Sequence, residues 1–576
     1  MTTHKFNPEI RDKVTGLLTR DEFQKMARQK IRTGEFGLAL IWFNIDNFKI
    51  YNEVFGYEKG TTLLREVAEI LKVIFPINHN ILARFSDDNF VVMSGWCALE
   101  DNIEAVQNSL YRLHKNATLK LRAGIYFPSH ADDIAISCDR AKIACDAIRK
   151  NHSIKSCMYH EDMSTNLTQR QYILDNLSNA FKNDYIKVVY QPIIRILTGK
   201  ICEAEALSRW EDPELGYISP NDFITTLEQY REIHRLDIFI LNKVCSALKK
   251  RLENNLPLLP VSINLSRLDF ELCDIFHEFE HSITKNNIPR KMLKIEITES
   301  VYSDDMTILD LGIEKFRANG YEVWMDDFGS GYSSLNALKD YHFDTIKFDM
   351  KFLSGFNKNS RRLKTILSSN LSMAKQMGIQ TLAEGVETQE QYEYLQSIGF
   401  EKAQGYLFGR AMNLDDVFAL EMPYENFKDA EYYSRLGKIE MPSQDLMHRP
   451  DYEIADVRSM ALLEFCAGDV DVIAQNKSHA LWLETTTPRE LEIIKEFLMR
   501  IMLSRVAKTF YIFMNGNCLS VNLTPAASNL RTGAEAWLSV HYDITRIPKC
   551  KNNIHSPRDT YNCLREILDG EILQLD

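Results

Sequence analysis

Positive charge is what this chain is short of: 68 Lys and Arg stand against 80 Asp and Glu, a formal net charge of -12. A protein that tracks nucleic-acid phosphates needs the opposite balance, which argues against direct DNA or RNA binding. Paired cysteines are also missing. The 11 Cys are an odd number, scattered from Cys97 to Cys563 without a CxxC, so neither a disulfide framework nor a zinc ribbon is expected. Reduced thiols in a cytoplasm fit that pattern. Long hydrophobic runs are absent as well: the most apolar stretches, such as Gly37 to Phe43, fall far below membrane-spanning length. Met1 opens a polar, charged stretch with no signal-peptide core, so a cytoplasmic protein without membrane insertion is expected. No internal repeat or low-complexity tract is present.

What is present is enough for several cores. A chain of 576 residues, 45% hydrophobic and 26% charged, predicts two to four well-filled domains. In residues 1–160 apolar strands (Gly37 to Ile45, Ile81 to Met93, Leu119 to Tyr126) alternate with amphipathic helices such as Thr61 to Ile74, an α/β pattern. Across residues 165–424 eight short apolar runs recur: Lys187 to Ile194, Ile201 to Leu207, Val261 to Leu265, Leu293 to Thr298, Glu322 to Asp326, Thr345 to Phe348, Gln380 to Ala383 and Ala403 to Phe408. Each leaves room for a helix before the next, the rhythm and size of a β/α barrel. Residues 425–456 turn polar and read as a linker. Residues 457–550 form a third, small α/β segment, and 551–576 a C-terminal tail.

Acidic or amide residues sit at the ends of successive runs: Glu205, Asn264, Glu296, Asp326 with Asp327, and Glu384. In a barrel those ends converge on one rim, where catalysis is built. Bare carboxylates so close would resist joint ionisation, so a divalent cation is the natural remedy. Oxygen ligands without His or Cys suit Mg2+ or Mn2+, and adjacent Asp326 and Asp327 would bridge two ions. Such a pair serves phosphodiester hydrolysis. Lys347 would add a positive charge near the water or phosphate, and equally serves as a rim salt bridge if taken alone. The turn Asp327-Phe328-Gly329-Ser330-Gly331-Tyr332 reads as a mobile loop, its glycines permitting conformations closed to other residues.

These residues carry a resemblance. Glu205-Ala206-Leu207 with Arg209-Trp210 is similar to the signature of EAL-domain cyclic di-GMP phosphodiesterases. Tyr190-Gln191-Pro192, Asn264-Leu265-Ser266, Glu296-Ile297-Thr298-Glu299, Asp326-Asp327-Phe328-Gly329, Lys347-Phe348-Asp349, Ala383-Glu384-Gly385-Val386-Glu387 and Gln404-Gly405-Tyr406 match in order. The resemblance implies a TIM-like barrel that hydrolyses cyclic di-GMP to linear pGpG with two Mg2+ or Mn2+ ions. It makes Glu205, Asn264, Glu296, Asp326, Asp327 and Glu384 metal ligands, and Lys347, Glu384 and Glu205 the catalytic set. Gln191, Arg209 and Gln404 would bind substrate, while Glu299, Gly329 and Gly331 would position the loop. Phe348 and Ala411 depart from the commoner Ile and Pro, at positions without a reacting group.

The first segment resembles a GGDEF diguanylate cyclase domain, an α/β fold of nucleotidyl cyclase type. Thr15-Gly16-Leu17, Asp46-Asn47-Phe48-Lys49, Asn52 and Arg84-Phe85 match, but the signature reads Ser86-Asp87-Asp88-Asn89-Phe90. Side chains replace two glycines that let the turn approach the nucleotide, and Asn44 stands where a metal-binding Asp is usual. Ile77 and Asn80 fall where a product-inhibition motif would lie and do not match it. No cyclase activity is expected. An inert dimerisation scaffold is favoured over a GTP sensor retaining Asn52, and a homodimer is expected. The third segment loosely resembles a PAS-like sensor. Nothing there marks a cofactor ligand, and His541 reads as an ordinary strand residue.

Two rival functions remain. A catalytically silent cyclic di-GMP receptor acting through protein partners would show a substituted rim, yet the rim is complete. An aldolase using Lys347 as a Schiff base needs a depressed lysine pKa, which surrounding carboxylates oppose.

Overall fold

The apolar run that opens the first unit is unbroken because both of its faces are covered. In β1 (Leu38–Ile45) alternate residues point to opposite sides. Ala39, Ile41, Phe43 and Ile45 pack with the helices Tyr57–Ile74 and Leu99–His114. Leu38, Leu40 and Trp42 pack with Arg20–Arg32 and Ile134–Ala147. The structure, a computed structural model, describes residues 10–32, 37–114, 119–129, 132–149, 154–298, 307–329, 335, 338–339, 341–356, 361–440, 459–514, 517–543 and 571–575. It divides into two compact units, Met1–Asp175 and Asn176–Asp576.

The first unit holds β1 with β2 (Ile81–Ser86), β3 (Asn89–Gly95), β4 (Leu121–Tyr126) and β5 (Ser156–Met158), in the order β2-β3-β1-β4-β5. The run Ile81 to Met93, expected as one strand, is a hairpin turning at Asp87-Asp88, with Ser86 opposite Asn89. Asp87 takes φ +38° there, in a turn position that favours glycine, and Asp is among the side chains that tolerate it.

In the second unit the strands are β6 (Ile186–Arg195), β7 (Lys200–Asp212), the short β8 (Gly216–Ile218), β9 (Val261–Leu265), β10 (Leu293–Thr298), β11 (Glu322–Phe328), β12 (Thr345–Phe348), β13 (Gln380–Ala383) and β14 (Lys402–Gln404). They follow the order β6-β14-β13-β12-β11-β10-β9-β7-β8, and pairing of β6 with β7 closes an eight-stranded barrel. Two expectations need correction. No helix joins the first two strands: β6 is antiparallel to both β7 and β14. Four residues separate it from β7, and a parallel crossover needs a dozen or so. The eighth strand stops at Gln404, because the chain turns at Gly405 against Val386. A side chain on Gly405 would place its Cβ 2.1 Å from the Val386 carbonyl oxygen.

The barrel interior carries charge below the rim. Lys402 Nζ pairs with Glu203 at 2.8 Å and lies 4.6 Å from the centre of the Trp324 ring. Lys294 pairs with Glu322 at 2.5 Å.

The third segment contains β15 (Ser459–Cys466), β16 (Asp469–Gln475), β17 (Lys508–Met514), β18 (Asn517–Ser528), β19 (Glu535–Asp543) and β20 (Glu571–Gln574). Their order is β16-β15-β19-β18-β17-β20. The helix Pro488–Met502, opened by a Thr487/Glu490 capping box with proline in its first turn, buries Ile494, Leu498 and Ile501 on one sheet face. Leu462, Ala527 and Ala536 on other strand positions pack against Tyr432 and Leu436. Those two belong to the helix Ala430–Gly437, so the stretch expected as a linker begins as packed structure. The expected tail likewise supplies β20, which pairs in parallel with β17. Among the described residues no helix is long and apolar enough to cross a membrane.

Candidate active site

Parallel register brings the strand ends together. Glu296 lies opposite Asn264 on one side and Trp324 on the other, and Thr298 lies opposite Asp326. Glu205, on β7, lies opposite Ser262. Lys347 on β12 rises among them, its side chain 1% exposed, with Nζ 2.6 Å from Glu296 Oε2, 2.7 Å from Glu384 Oε1, 3.0 Å from Asp326 Oδ1 and 3.5 Å from Glu205 Oε2.

Adjacent residues of a strand normally face opposite ways, yet Asp326 and Asp327 both serve the rim. The pairing of β11 with β12 shifts register between Met325 and Phe328, and Asp327 takes φ +57°. That irregularity turns both carboxylates to one side, at the cost of a backbone conformation a side chain seldom adopts. Carboxylate oxygens of Asp326, Asp327 and Glu384 then lie within 4.8 Å of one another.

Glu205 is the best connected of the acids. Asn264 Nδ2 donates to its Oε1 at 2.8 Å and Gln404 Nε2 to its Oε2 at 2.7 Å. Gln404 Nε2 also reaches Gln191 Oε1 at 3.2 Å, and Gln191 Nε2 donates to the Gly409 carbonyl at 3.3 Å. Arg209 lies four residues along β7 from Glu205, about 13 Å at the usual strand rise. It does not join this cluster; its Nη1 donates to the Ser208 carbonyl at 2.8 Å.

Protonation follows from these neighbours. Burial raises the Glu205 carboxyl, but Lys347, Gln404 and Asn264 outweigh it and the pKa is lowered. Glu296 is driven well above the carboxylate range by burial and by Glu205. Glu384 is pushed up to about 8, again by burial first, with Asp326 and Glu205 opposing the pull of Lys347. Burial also raises Asp327, helped by Asp326 and Asp349. Lys347 goes the other way: burial disfavours its charge, yet Asp326, Glu205, Glu296 and Glu384 together hold it as a firm ammonium.

The donor set fits a pair of divalent ions. Glu205, Glu296, Asp326, Asp327 and Glu384 against one ammonium leave four negative charges when all are ionised, which two such ions would balance. Buried Glu296 Oε1 accepts no hydrogen bond, as expected of an oxygen reserved for a cation, and Asp326 Oδ1 is met only by the Lys347 ammonium. All the donors are oxygens.

Gly329 takes φ +89°, and a Cβ there would lie 2.3 Å from the Phe352 ring, so the entry of the loop requires glycine. Glu299 and Gly331 lie outside the described residues. Asp349 was not among the expected site residues, although it ends the Lys347-Phe348-Asp349 run and adds its charge beside Asp327.

In the first unit the signature hairpin is closed by internal bonds. Asn44 Nδ2 donates to Asp88 Oδ2 at 2.9 Å and to Asn89 Oδ1 at 3.1 Å. Arg122 Nη2 donates to Asn44 Oδ1 at 2.8 Å, and the same guanidinium is ion-paired with Asp46. Asp87 offers its carbonyl to Arg84, while Ser86 ends β2. Asn52 Oδ1 is buried against Gly60 without a donor. Sequence reading missed Arg122, whose basic side chain on β4 was a signal only once strand pairing set it beside Asn44.

Comparison with known proteins agrees with this layout. Residues 174–411 match the family described as EAL domain, and residues 9–153 the family described as diguanylate cyclase, GGDEF domain. An uncharacterized protein of Sinorhizobium fredii, y4lL, is 31% identical over 71% of this chain and 50% of its own length. The cyclic di-GMP phosphodiesterase NbdA of Pseudomonas aeruginosa is 27% identical over 70% of this chain and 53% of its own. The chain therefore spans about half the length of these curated relatives. Among solved structures, PaMucR phosphodiesterase in complex with c-di-GMP is 28% identical, covers 43% of this chain and 99% of that one, and has a TM-score of 0.40. This chain belongs to the proteins that set a GGDEF domain before an EAL domain.

Proposed function

We propose that the barrel hydrolyses cyclic di-GMP to linear pGpG, using two Mg2+ or Mn2+ ions held by Glu205, Asn264, Glu296, Asp326, Asp327 and Glu384. The observation that carries this reading is the ring of acids around Lys347, in which buried Glu296 Oε1 is left without a hydrogen bond. The phosphodiesterase name of one relative supports the substrate. Bound there, the two ions would supply charge neutralisation and Lewis acidity toward the phosphodiester. The chain's own residues do the rest. Lys347, held as an ammonium, presents its protons at the centre of the ring and orients an attacking water. Glu384, ionised once an ion is held and with Oε1 2.7 Å from Lys347 Nζ, is placed to take that water's proton. Gln191 and Gln404 line the floor on which a guanine would rest, and Arg209 offers a guanidinium to a phosphate further out.

Purified protein incubated with cyclic di-GMP is expected to release pGpG, resolved by chromatography, only when Mg2+ or Mn2+ is present. Binding of cyclic di-GMP without any pGpG would replace this reading with that of a silent receptor.

The first unit, on this reading, makes no messenger. Of the two positions that would hold a nucleotide's metal, one carries the neutral Asn44, and the carboxylate at the other, Asp88, accepts a hydrogen bond from Asn44 Nδ2 at 2.9 Å. Two side chains, Ser86 and Asp87, occupy the turn where close approach is needed. Calorimetric titration with GTP and Mg2+ is expected to give no micromolar binding, and chromatography no cyclic di-GMP. Micromolar affinity would mark the domain as a nucleotide sensor.

A further inference from the structure

Acids from three helices close around one serine beside the rim. β9 ends at Leu265, and the chain turns at Ser266 into the helix Arg267–Leu272. Ser266 N donates to Asp269 Oδ2 at 2.7 Å, half of a capping box in which the Ser266 side chain meets the helix in return. Ser266 Oγ donates to Glu228 Oε1 at 3.0 Å, from the helix Pro220–Gln229. Asp237, from the helix Ile233–Glu253, also accepts from the Ser266 N–H and is hydrogen-bonded to Asp269.

A capping box needs only Asp269, so the buried acid facing it is surplus to the helix. Asp237 is 6% exposed and Asp269 0%, and among the described residues neither carboxyl has a Lys, Arg or His nitrogen within 4.0 Å. Two carboxylates this close and this dry resist joint ionisation, so one serves the other as a neutral donor. Asp269 Oδ2 is taken by Ser266 and its Oδ1 meets no N–H, which leaves Oδ1 to accept the proton of Asp237. Burial first, and Asp269 next, drive Asp237 well above the carboxylate range, and burial raises Asp269 to about 7. The groups that face the pair from neighbouring elements do not offset this. Glu228 raises both acids, and the nearby Cys273 thiol is itself pushed up to about 11 and stays neutral. His234 stands one turn before Asp237 on the same helix, its Nδ1 buried without a partner.

We infer that Asp237 and Asp269 share a proton and, by gripping the Ser266 N–H together, act as positioning residues for Asn264, two residues away on the rim. This role rests on the reading of Asn264 as a metal ligand. Upstream, Asn264 is held by the strand ladder, opposite Glu296. Downstream, the turn at Ser266 is the anchor that keeps its amide on Glu205 Oε1, 2.8 Å away. When the shared proton leaves, two buried anions repel, the grip on Ser266 loosens and Asn264 is no longer held against the acids. The pair therefore sets an alkaline limit on ion binding. That limit is opposite in sign to the acids of the ring, which take an ion more readily as pH rises.

Full-length wild type should be compared with Asp269→Asn, Asp237→Asn and Asp269→Ala. An amide at either position is a donor that cannot ionise, and at 269 its oxygen still accepts from Ser266. In calorimetric Mg2+ titrations from pH 8 to 9.5, wild-type affinity should fall roughly tenfold, the usual cost of disturbing a residue behind a metal ligand. Neither Asn variant should show that fall. Asp269→Ala, which offers Ser266 no acceptor, should weaken Mg2+ binding roughly tenfold at every pH. Urea unfolding in EDTA from pH 5 to 8.5 reads the proton without any metal. The folded pair keeps a proton that the unfolded chain releases, so wild type should lose stability relative to Asp269→Asn as pH rises, by up to about tenfold in the folding constant per pH unit. Parallel stability curves overturn the inference. So does an equal alkaline fall in both Asn variants, or wild-type Mg2+ affinity in Asp269→Ala. Diverging stability curves with no Mg2+ binding at any pH would overturn the metal reading of the ring, and the positioning role with it, while leaving the shared proton established.

Discussion

Replacing Lys347 with methionine should cost the metal-free protein about 3–5 kcal/mol at pH 8, the usual consequence of removing one partner from a buried ionic cluster. The side chain is nearly of the same length, so packing changes little. What changes is charge: Glu296, Glu384, Asp326 and Glu205 all lie within 3.5 Å of the ammonium that would vanish. Urea denaturation in EDTA reads the loss directly. Saturating Mg2+ should recover a substantial part of it, since added cations replace the missing charge. Turnover should not recover. Removal of a preorganised donor in a water-poor site typically lowers kcat by about 100- to 1000-fold, and Mg2+ does not restore a proton donor at that atom. Stability rescued with activity lost would separate the two roles. Near-wild-type turnover in Mg2+ would mean that Lys347 is only a rim salt bridge.

The barrel was legible in the sequence because its strands are apolar runs separated mostly by room for a helix, and because acids or amides recur on or beside the ends of several of them. Glu205, Asn264, Glu296, Asp326, Asp327, Lys347, Glu384 and Gln404 all fall on or beside barrel strands. The reversal of β6 was less visible, since an apolar run reads the same in either direction; only the short gap between Ile194 and Ile201, too small for a helix, carried it. The bulge at Asp326 and Asp327 could not be read from side-chain type, because it depends on how β12 pairs. The same limit applies to Arg122 and Asn44, which are 78 residues apart and meet only across β1 and β4. The polarity of residues 425–440 concealed a packed helix: Tyr432 and Leu436 are its only fully buried residues, and eight residues are too few to show a period.

Metal affinity should fall about fiftyfold between pH 8 and pH 6, the factor expected when one proton of pKa about 8 must leave before the ion can bind. Glu384 is that proton's holder in the metal-free site, and Glu296, also raised, adds in the same direction. The sign for folding follows from the same shifts. A carboxyl whose pKa rises from 4.5 to about 8 on folding keeps its proton in the folded chain after the unfolded chain has lost it. Stability of the metal-free protein should therefore decline as pH rises through that window and level off above it. Glu205, lowered instead, contributes stability that disappears only as pH falls below the ordinary carboxylate range. With Mg2+ saturating, the ionised acids are the bound form and the decline should vanish or reverse. Urea midpoints from pH 5 to 8.5, in EDTA and in Mg2+, together with calorimetry at pH 6 and 8 in two buffers, measure all of these. Equal Mg2+ affinity at both pH values, with no proton release, would mean that Glu384 is not part of the ion-binding set.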